Sequence, residues 1–300
     1  MNTPLKNRIR LLAKEKNAII LAHNYQPPEI QDMADLCGDS LELSIRASKT
    51  QADIIVFCGV RFMTETASIL CPEKTVLLPR PNAGCPMADM VTPKALGDWI
   101  SRYPTMPVVT YVNSTAAVKA LTTICCTSAN VIRVAESIKE KEMLMVPDRN
   151  LAAYAAAHTN KTIHRWNGCC PYHDALTPDQ VIRQKKAHPD ALFMAHPECR
   201  SEVLALADEV TSTSGMLKIA RESDRRAFIV GTEVGLLYPL QKANPDKIFY
   251  PASPAMECTD MKKITLEDVA KSLETLSGEV KVPEEIRIPA LKSVQRMIEL

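Results

Sequence analysis

The sequence predicts an α/β protein of three related units, each a small parallel sheet with helices on its faces. Two observations carry the prediction. Apolar runs of strand length alternate with helical patterns along the 300 residues, as strand–helix units feeding a parallel sheet do. A set of landmark residues also recurs three times in one order, as related domains in tandem require.

The strand runs are "NAIILAH", "ADIIVFCG", "KTVLLP", "PVVTYVN", "MLMVP", "ALFMAH", "AFIVG" and "KIFYP". Between them the helical stretches include "LELSIRASK", "NVIRVAESIKE", "NLAAYAAA" and "SEVLALA". The landmarks start at His23, Val112 and His196, each at the end of a strand run. Ser40, Ser128 and Thr213, opening the next helix, follow at 17, 16 and 17 residues. Gly59, Pro147 and Gly231, closing a later strand, follow at 36, 35 and 35, and Cys85, Cys170 and Cys258 end the units at 62, 58 and 62. These spacings divide the chain into units over 1–85, 86–170 and 171–261. The remainder, 262–300, is expected to pack with the N-terminal helix on the first unit. It opens on "TLED", a capping-box start for a helix to about Leu276, passes a proline-marked extended stretch and ends in a helix through "ALKSVQRMIEL".

Composition narrows the function. Thirty-six basic against 35 acidic residues leave a net charge of +1, which gives no electrostatic case for nucleic acid or an anionic membrane. No apolar segment is long enough to span a bilayer. The first residues carry scattered charges rather than a signal-peptide pattern, so the expected location is the cytoplasm, where the ten cysteines stay reduced. A chain of this length buries roughly 75% of its unfolded surface and needs no disulfides. Lone Cys37, Cys58, Cys71 and Cys199 read as small buried hydrophobes. C-x-x-C is absent from the sequence, against a zinc ribbon or a thioredoxin-like motif.

Three cysteines stand apart. Cys85 in "NAGCPMA", the pair in "NGCCPYH" and Cys258 in "AMECTDM" follow the last strand run of their units. Proline after Cys85 and Cys170 biases each toward an extended turn, from which a sulfur can face a shared cavity. Three thiolates can hold a cubane iron–sulfur cluster with one iron free of protein, and that iron can act as a Lewis acid. The same spacing also allows that the three never meet. Adjacent side chains in an extended turn point apart, so one of Cys169 and Cys170 is expected to serve. The 85- and 88-residue intervals around Cys170 match each other better than the 84 and 89 around Cys169.

Ligands of parallel sheets bind beyond the carboxyl ends of the strands. There the units place His23 and Tyr25, Tyr111 and Asn113, and His196 and Glu198, each pair spaced to share a face of an extended chain. Histidine, tyrosine and glutamate can transfer protons. Ser40, Ser128 and Thr213 read either as N-caps or as hydroxyls binding an anion at a helix start. The sequence has no P-loop and no complete G-x-G-x-x-G, which argues against a nucleotide.

From about residue 17 to 270, "ILAHNYQPPEIQDMAD" with "GDS", "NAGCPMA", "YVNST", "TSAN", "PDRNL", "AHPEC", "TSTSGM", "GTEVG" and "AMECTDMKKITL" occur in order. In these motifs the chain resembles the quinolinate synthase family, the A protein of bacterial and archaeal NAD biosynthesis. The resemblance implies three αβα sandwich domains around a pseudo-threefold axis and a [4Fe–4S] cluster on Cys85, Cys170 and Cys258. It implies condensation of iminoaspartate with dihydroxyacetone phosphate to quinolinate, with loss of phosphate and water. A transient contact with the enzyme that supplies iminoaspartate would follow. Substrate-site residues carry over to His23, Tyr25, Ser40, Tyr111, Asn113, Ser128, His196, Glu198 and Thr213. Tyr25 and Glu198 are the candidate proton shuttles, and His196 joins them in the catalytic group by holding a substrate oxygen, as does His23. Family members often have a residue other than cysteine where Cys169 stands, which favours Cys170. The C-terminal cysteine pair of some bacterial forms has no counterpart here. The competing readings are an iron–sulfur electron carrier, a zinc-dependent aldolase or hydrolase, and a ligand-binding sensor on a repeated α/β cavity.

Overall fold

A computed structural model describes residues 3–300. Three four-stranded sheets follow one another along the chain. The first holds β1 Ala18–His23, β2 Leu36–Gly38, β3 Ile54–Cys58 and β4 Thr75–Leu77. The second holds β5 Val108–Tyr111, β6 Ile124–Cys126, β7 Glu142–Val146 and β8 Thr162–Arg165. The third holds β9 Leu192–Ala195, β10 Glu209–Val210, β11 Ala227–Gly231 and β12 Ile248–Pro251. The order β2-β1-β3-β4 recurs as β6-β5-β7-β8 and β10-β9-β11-β12, and all the pairings are parallel. The fold is thus α/β, with helices between successive strands. Central strands such as "IIVFC" are buried at each position, which accounts for their unbroken apolar runs.

The eight strand runs of the sequence are all strands. The remaining four, β2, β6, β8 and β10, lie at sheet edges. β2, β6 and β10 have only two or three residues, too few for a periodic signal, and β8 is largely exposed. Side chains set the register of the short edges instead. Asp35, Thr123 and Asp208 immediately precede β2, β6 and β10. Each accepts the amide of the central strand, Ile20 at 2.7 Å, Val108 at 3.0 Å and Phe193 at 2.8 Å, always 15 residues back. Each returns its own amide to that residue's carbonyl, at 2.8, 3.0 and 2.9 Å. The repeat therefore extends to a side-chain clamp that locks the edge strand in place.

Two helical stretches are shorter than their patterns, Val131–Ser137 within "NVIRVAESIKE" and Ser201–Leu204 within "SEVLALA". The helix Leu266–Thr275 opens with the Thr265–Asp268 capping box and packs on the helix Thr3–Glu15 and on β3. The final helix, Glu284–Glu299, starts well before "ALKSVQRMIEL" and carries Pro289 within it. It packs on β6 and the helix Ala116–Lys119 of the second sheet as well as on the helix Arg61–Leu70 of the first. Its buried face explains this. Ser293 Oγ donates to Lys119 O at 2.9 Å, and Met297 O accepts from Asn130 Nδ2 at 3.3 Å. The tail is a strap across two units. Among the described residues no helix is long and apolar enough to cross a membrane.

The turn leading to that strap requires glycine. Gly278 has φ of +85°, and a Cβ there would lie 2.2 Å from Leu78 O, whose own amide donates to Gly278 O at 2.8 Å. Gly97, inside the helix Pro93–Arg102, has open space around an added Cβ. Gly278→Ala is expected to lower the unfolding free energy by about 1–3 kcal/mol, while Gly97→Ala raises it by about 0.5–1 kcal/mol. Urea unfolding checks both, and equal midpoints for the two variants would contradict the assignment.

Candidate active site

In each sheet the strand order reverses between the first and third strands, which opens a crevice at their carboxyl ends. One cavity lies beyond these ends. All twelve residues singled out in the sequence line it: His23, Tyr25, Ser40, Cys85, Tyr111, Asn113, Ser128, Cys170, His196, Glu198, Thr213 and Cys258.

The strand-end pairs reach the cavity by a turn rather than by an extended run. After β1 the Gln26 amide donates to His23 O at 3.0 Å, and after β9 the Cys199 amide donates to His196 O at 2.9 Å. Within the turns, the Tyr25 amide donates to His23 Nδ1 at 3.2 Å and the Glu198 amide to His196 Nδ1 at 3.4 Å. An accepting Nδ1 assigns the proton of a neutral ring to Nε2. His196 Nε2 then donates to Ser128 Oγ at 3.2 Å. Burial, and for His23 also the nearby Lys262 charge, lowers both imidazoles to about 3. Both rings are therefore neutral at physiological pH and act as Nε2–H donors.

None of the three hydroxyl residues is an N-cap. The cap positions belong to Asp39, Asn130 and Ser212. Ser40 and Thr213 are the first helical residues, and Ser128 lies before the cap. For Ser40 and Thr213 a neighbour does the capping: Asp39 accepts from the Leu41 and Glu42 amides at 3.0 Å each, and Ser212 Oγ from the Gly215 amide at 3.3 Å; the helix after Ser128 has no side-chain cap bond from Asn130. Thr213 Oγ1 accepts from buried Asn24 at 3.2 Å. Asn113 Oδ1 is buried with no partner among the described residues, an acceptor left for a ligand.

A chain of short bonds crosses the cavity floor. Tyr25 Oη lies 2.6 Å from Thr232 Oγ1, which lies 2.8 Å from His173 Nε2. His173 Nδ1 lies 2.7 Å from Glu198 Oε2. His173 Nδ1 thus has two neighbours, Glu198 Oε2 and, at 3.1 Å, Cys170 Sγ. Burial pushes Glu198 up, but the adjacent His173 and His196 and hydrogen bonds from His173 and Tyr111 outweigh it, leaving the carboxyl at about 2. Burial and the Glu198 charge hold the Tyr25 and Tyr111 phenols well above their usual range. His173 and Thr232 were not picked out from the sequence. The available signal was the i, i+3 spacing of Cys170 and His173 on one helical turn.

The three cysteines share a local geometry. Backbone amides lie beside each sulfur and favour its thiolate: those of Met87 and Ala88 at Cys85, Tyr172 and His173 at Cys170, and Asp260 and Met261 at Cys258. In each case they belong to residues i+2 and i+3 of a tight turn. Amide donors on sulfur are how proteins stabilise and tune bound thiolates. Burial nonetheless pushes the free thiols up, Cys85 to about 12. Cys170 faces the cavity, whereas Cys169 is outside its lining; the Cys169 side chain bonds Asp174. Cys170 Sγ, His173 and Glu198 also form a group whose ligand atoms lie within 4.8 Å of one another, so the site can hold a metal. Of the lone cysteines, Cys58, Cys71 and Cys199 are buried and Cys37 is half-buried.

Comparison with known proteins places the chain in a family. Residues 7–299 match the family model described as Quinolinate synthetase A protein. The chain is 58% identical over 294 residues to a quinolinate synthase of Geotalea uraniireducens, covering 98% of this chain and 97% of that one. It is 55% identical over 293 residues to a quinolinate synthase of Thermodesulfovibrio yellowstonii, covering 97% of each. A match over nearly its whole length means that the chain belongs to the quinolinate synthetase A protein family.

Proposed function

We propose that the protein is a cytoplasmic quinolinate synthase that condenses iminoaspartate with dihydroxyacetone phosphate, releasing phosphate and water, and that it carries a [4Fe–4S] cluster on Cys85, Cys170 and Cys258. The observation that carries the reading is that one cysteine from each unit lines a single cavity, each with the amides two and three residues on beside its sulfur. Three such ligands fit a cubane with one open iron. When bound, the cluster would supply a Lewis acid for a leaving hydroxyl. An electron carrier has no need of the surrounding acid–base groups. A single ion on Cys170, His173 and Glu198 is the second reading, since their ligand atoms converge. It would interrupt the hydrogen-bonded chain from Tyr25 to Glu198 and leave the other two thiols idle.

The residues of this chain have distinct tasks in the reading. His23 and His196 donate Nε2–H to substrate oxygens. Asn113 Oδ1 accepts from an imine or amine N–H. Ser40, Ser128 and Thr213, with the helix starts behind them, hold the anionic groups. Tyr25 exchanges protons with substrate, and the Thr232–His173–Glu198 chain behind it restores its protonation state without water having to enter. Transient docking of the enzyme that makes iminoaspartate would shorten the path of a hydrolysable imine.

Replacing Cys85, Cys170 or Cys258 with Ser is expected to abolish cluster binding while the fold persists, and Cys169→Ser to retain cluster and activity. Iron and sulfide analysis of anaerobically prepared protein, beside circular dichroism, measures this. Full iron content in any of the first three, or an inactive Cys169→Ser, would overturn the ligand set, and zinc without sulfide would favour the mononuclear site.

Glu198→Gln should keep the cluster and lower quinolinate formation by roughly 10²–10⁴-fold. Turnover near that of the unaltered enzyme would remove Glu198 from the chemistry.

Because Ser128 caps no helix, Ser128→Ala is expected to raise KM for the anionic substrates and leave urea stability unchanged. A stability loss of about 1 kcal/mol at constant KM would instead return it to a capping role.

A further inference from the structure

We propose that Asp148 and Glu233 are positioning residues for the cluster ligands Cys170 and Cys258, and that Asp260 does the same for the loop of Cys85. The inference rests on the reading that these cysteines hold the cluster. Asp148 and Glu233 lie two residues beyond the ends of β7 and β11 and are 1% exposed. Each divides its two oxygens between two loops. Asp148 Oδ1 accepts the Asn150 and Leu151 amides at 2.7 and 2.8 Å, while Oδ2 accepts the Cys170 amide at 3.2 Å. Glu233 Oε2 accepts the Gly235 amide at 2.7 Å, while Oε1 accepts the Cys258 amide at 3.0 Å. Lys262 Nζ compensates the Glu233 charge at 2.8 Å.

The corresponding position after β3 is Val60, which has no acceptor to offer. There the loop is held from another unit. The Gly84 amide, beside Cys85, donates to Asp260 Oδ1 at 3.0 Å, and Asp260 belongs to the turn that wraps the Cys258 sulfur. Each cysteine is thus fixed on two sides. Amides that follow it lie beside the sulfur, and a carboxylate holds the backbone at or beside its own amide. Three sulfurs from three units can meet one cluster only if their loops do not relax independently. Groups that orient metal ligands are typically worth 10–100-fold in metal retention.

Asp148→Asn isolates the effect. Its one remaining oxygen is drawn to the two helix amides rather than to the single Cys170 amide, so the cap survives and the cysteine link is lost. In anaerobically prepared holoenzyme, iron release to the ferrous chelator bathophenanthroline is expected to run roughly 10–100-fold faster, with the urea midpoint unchanged. Asp208→Ala removes the clamp that holds β10 to the Phe193 amide of β9 and is expected to do the reverse, lowering the midpoint with iron release unaltered. Release from Asp148→Asn at the unaltered rate, or faster only in step with a lowered midpoint, overturns the proposal. Should Asp148→Asn not fold, Asp260→Ala, at a partly exposed side chain, decides it by the same two measurements. An unaltered enzyme that binds neither iron nor sulfide would overturn the cluster reading itself; a loaded enzyme with indifferent variants overturns only this inference.

Discussion

An ionised carboxylate shut away from water costs several kcal/mol unless hydrogen bonds and opposite charge replace its hydration, and Glu198 is 3% exposed. The rest of the cavity is arranged around that demand. His173 Nδ1 lies 2.7 Å from its Oε2, and Tyr111 donates to it. The backbone of the same residue is fixed as well, since Asn150 Nδ2 donates to Glu198 O at 3.0 Å. These partners come from the second and third units, so the carboxylate can be held only when the units are docked. Docking the units and ionising the site are therefore linked energetically.

The linkage has a direction in pH. His23 and His196 have folded-state values lowered to about 3, so the unfolded chain takes up their protons first as pH falls below their ordinary 6.5. Glu198 sits at about 2 in the fold against an ordinary 4.5. Its contribution is present above the unfolded value and fades as pH drops through the folded one. All three shifts favour the folded state at neutral pH and withdraw that support on acidification, the histidines first.

Much of this was legible in the sequence, and what was not has a physical reason. Apolar runs exposed the central strands because a strand buried on both faces admits only apolar residues. Landmark spacing exposed the cavity because equivalent strand ends in equivalent units bring their residues to one place. The edge strands were hidden because "LCG" and "ICC" are placed by the Asp35 and Thr123 clamps, not by their own pattern, although the clamp residues recur at a constant interval. His173 was hidden because its partners Thr232 and Glu198 are 59 and 25 residues away. No local rule connects them. The final helix carries an apolar stripe, but which unit that stripe meets depends on where Lys119 O and Asn130 lie in space.

The repeat also limits what the site can be. Three units with identical strand order would, with identical side chains, make a threefold cavity unable to orient an asymmetric ligand. The scaffold has kept its symmetry where backbone geometry matters: in the strand order, the edge clamps and the amides beside each cysteine. It has lost symmetry where chemistry matters. The strand-end pairs are His–Tyr, Tyr–Asn and His–Glu, and the positions after β3, β7 and β11 are Val60, Asp148 and Glu233. Acid–base groups are concentrated on one side, with the Tyr25–Thr232–His173–Glu198 chain, while Asn113 offers an unpartnered acceptor from another unit. The repeated frame brings one cysteine of each unit to the same cavity. The unequal side chains then give the space beside them a single sense, so that a molecule with different ends can lie in it only one way.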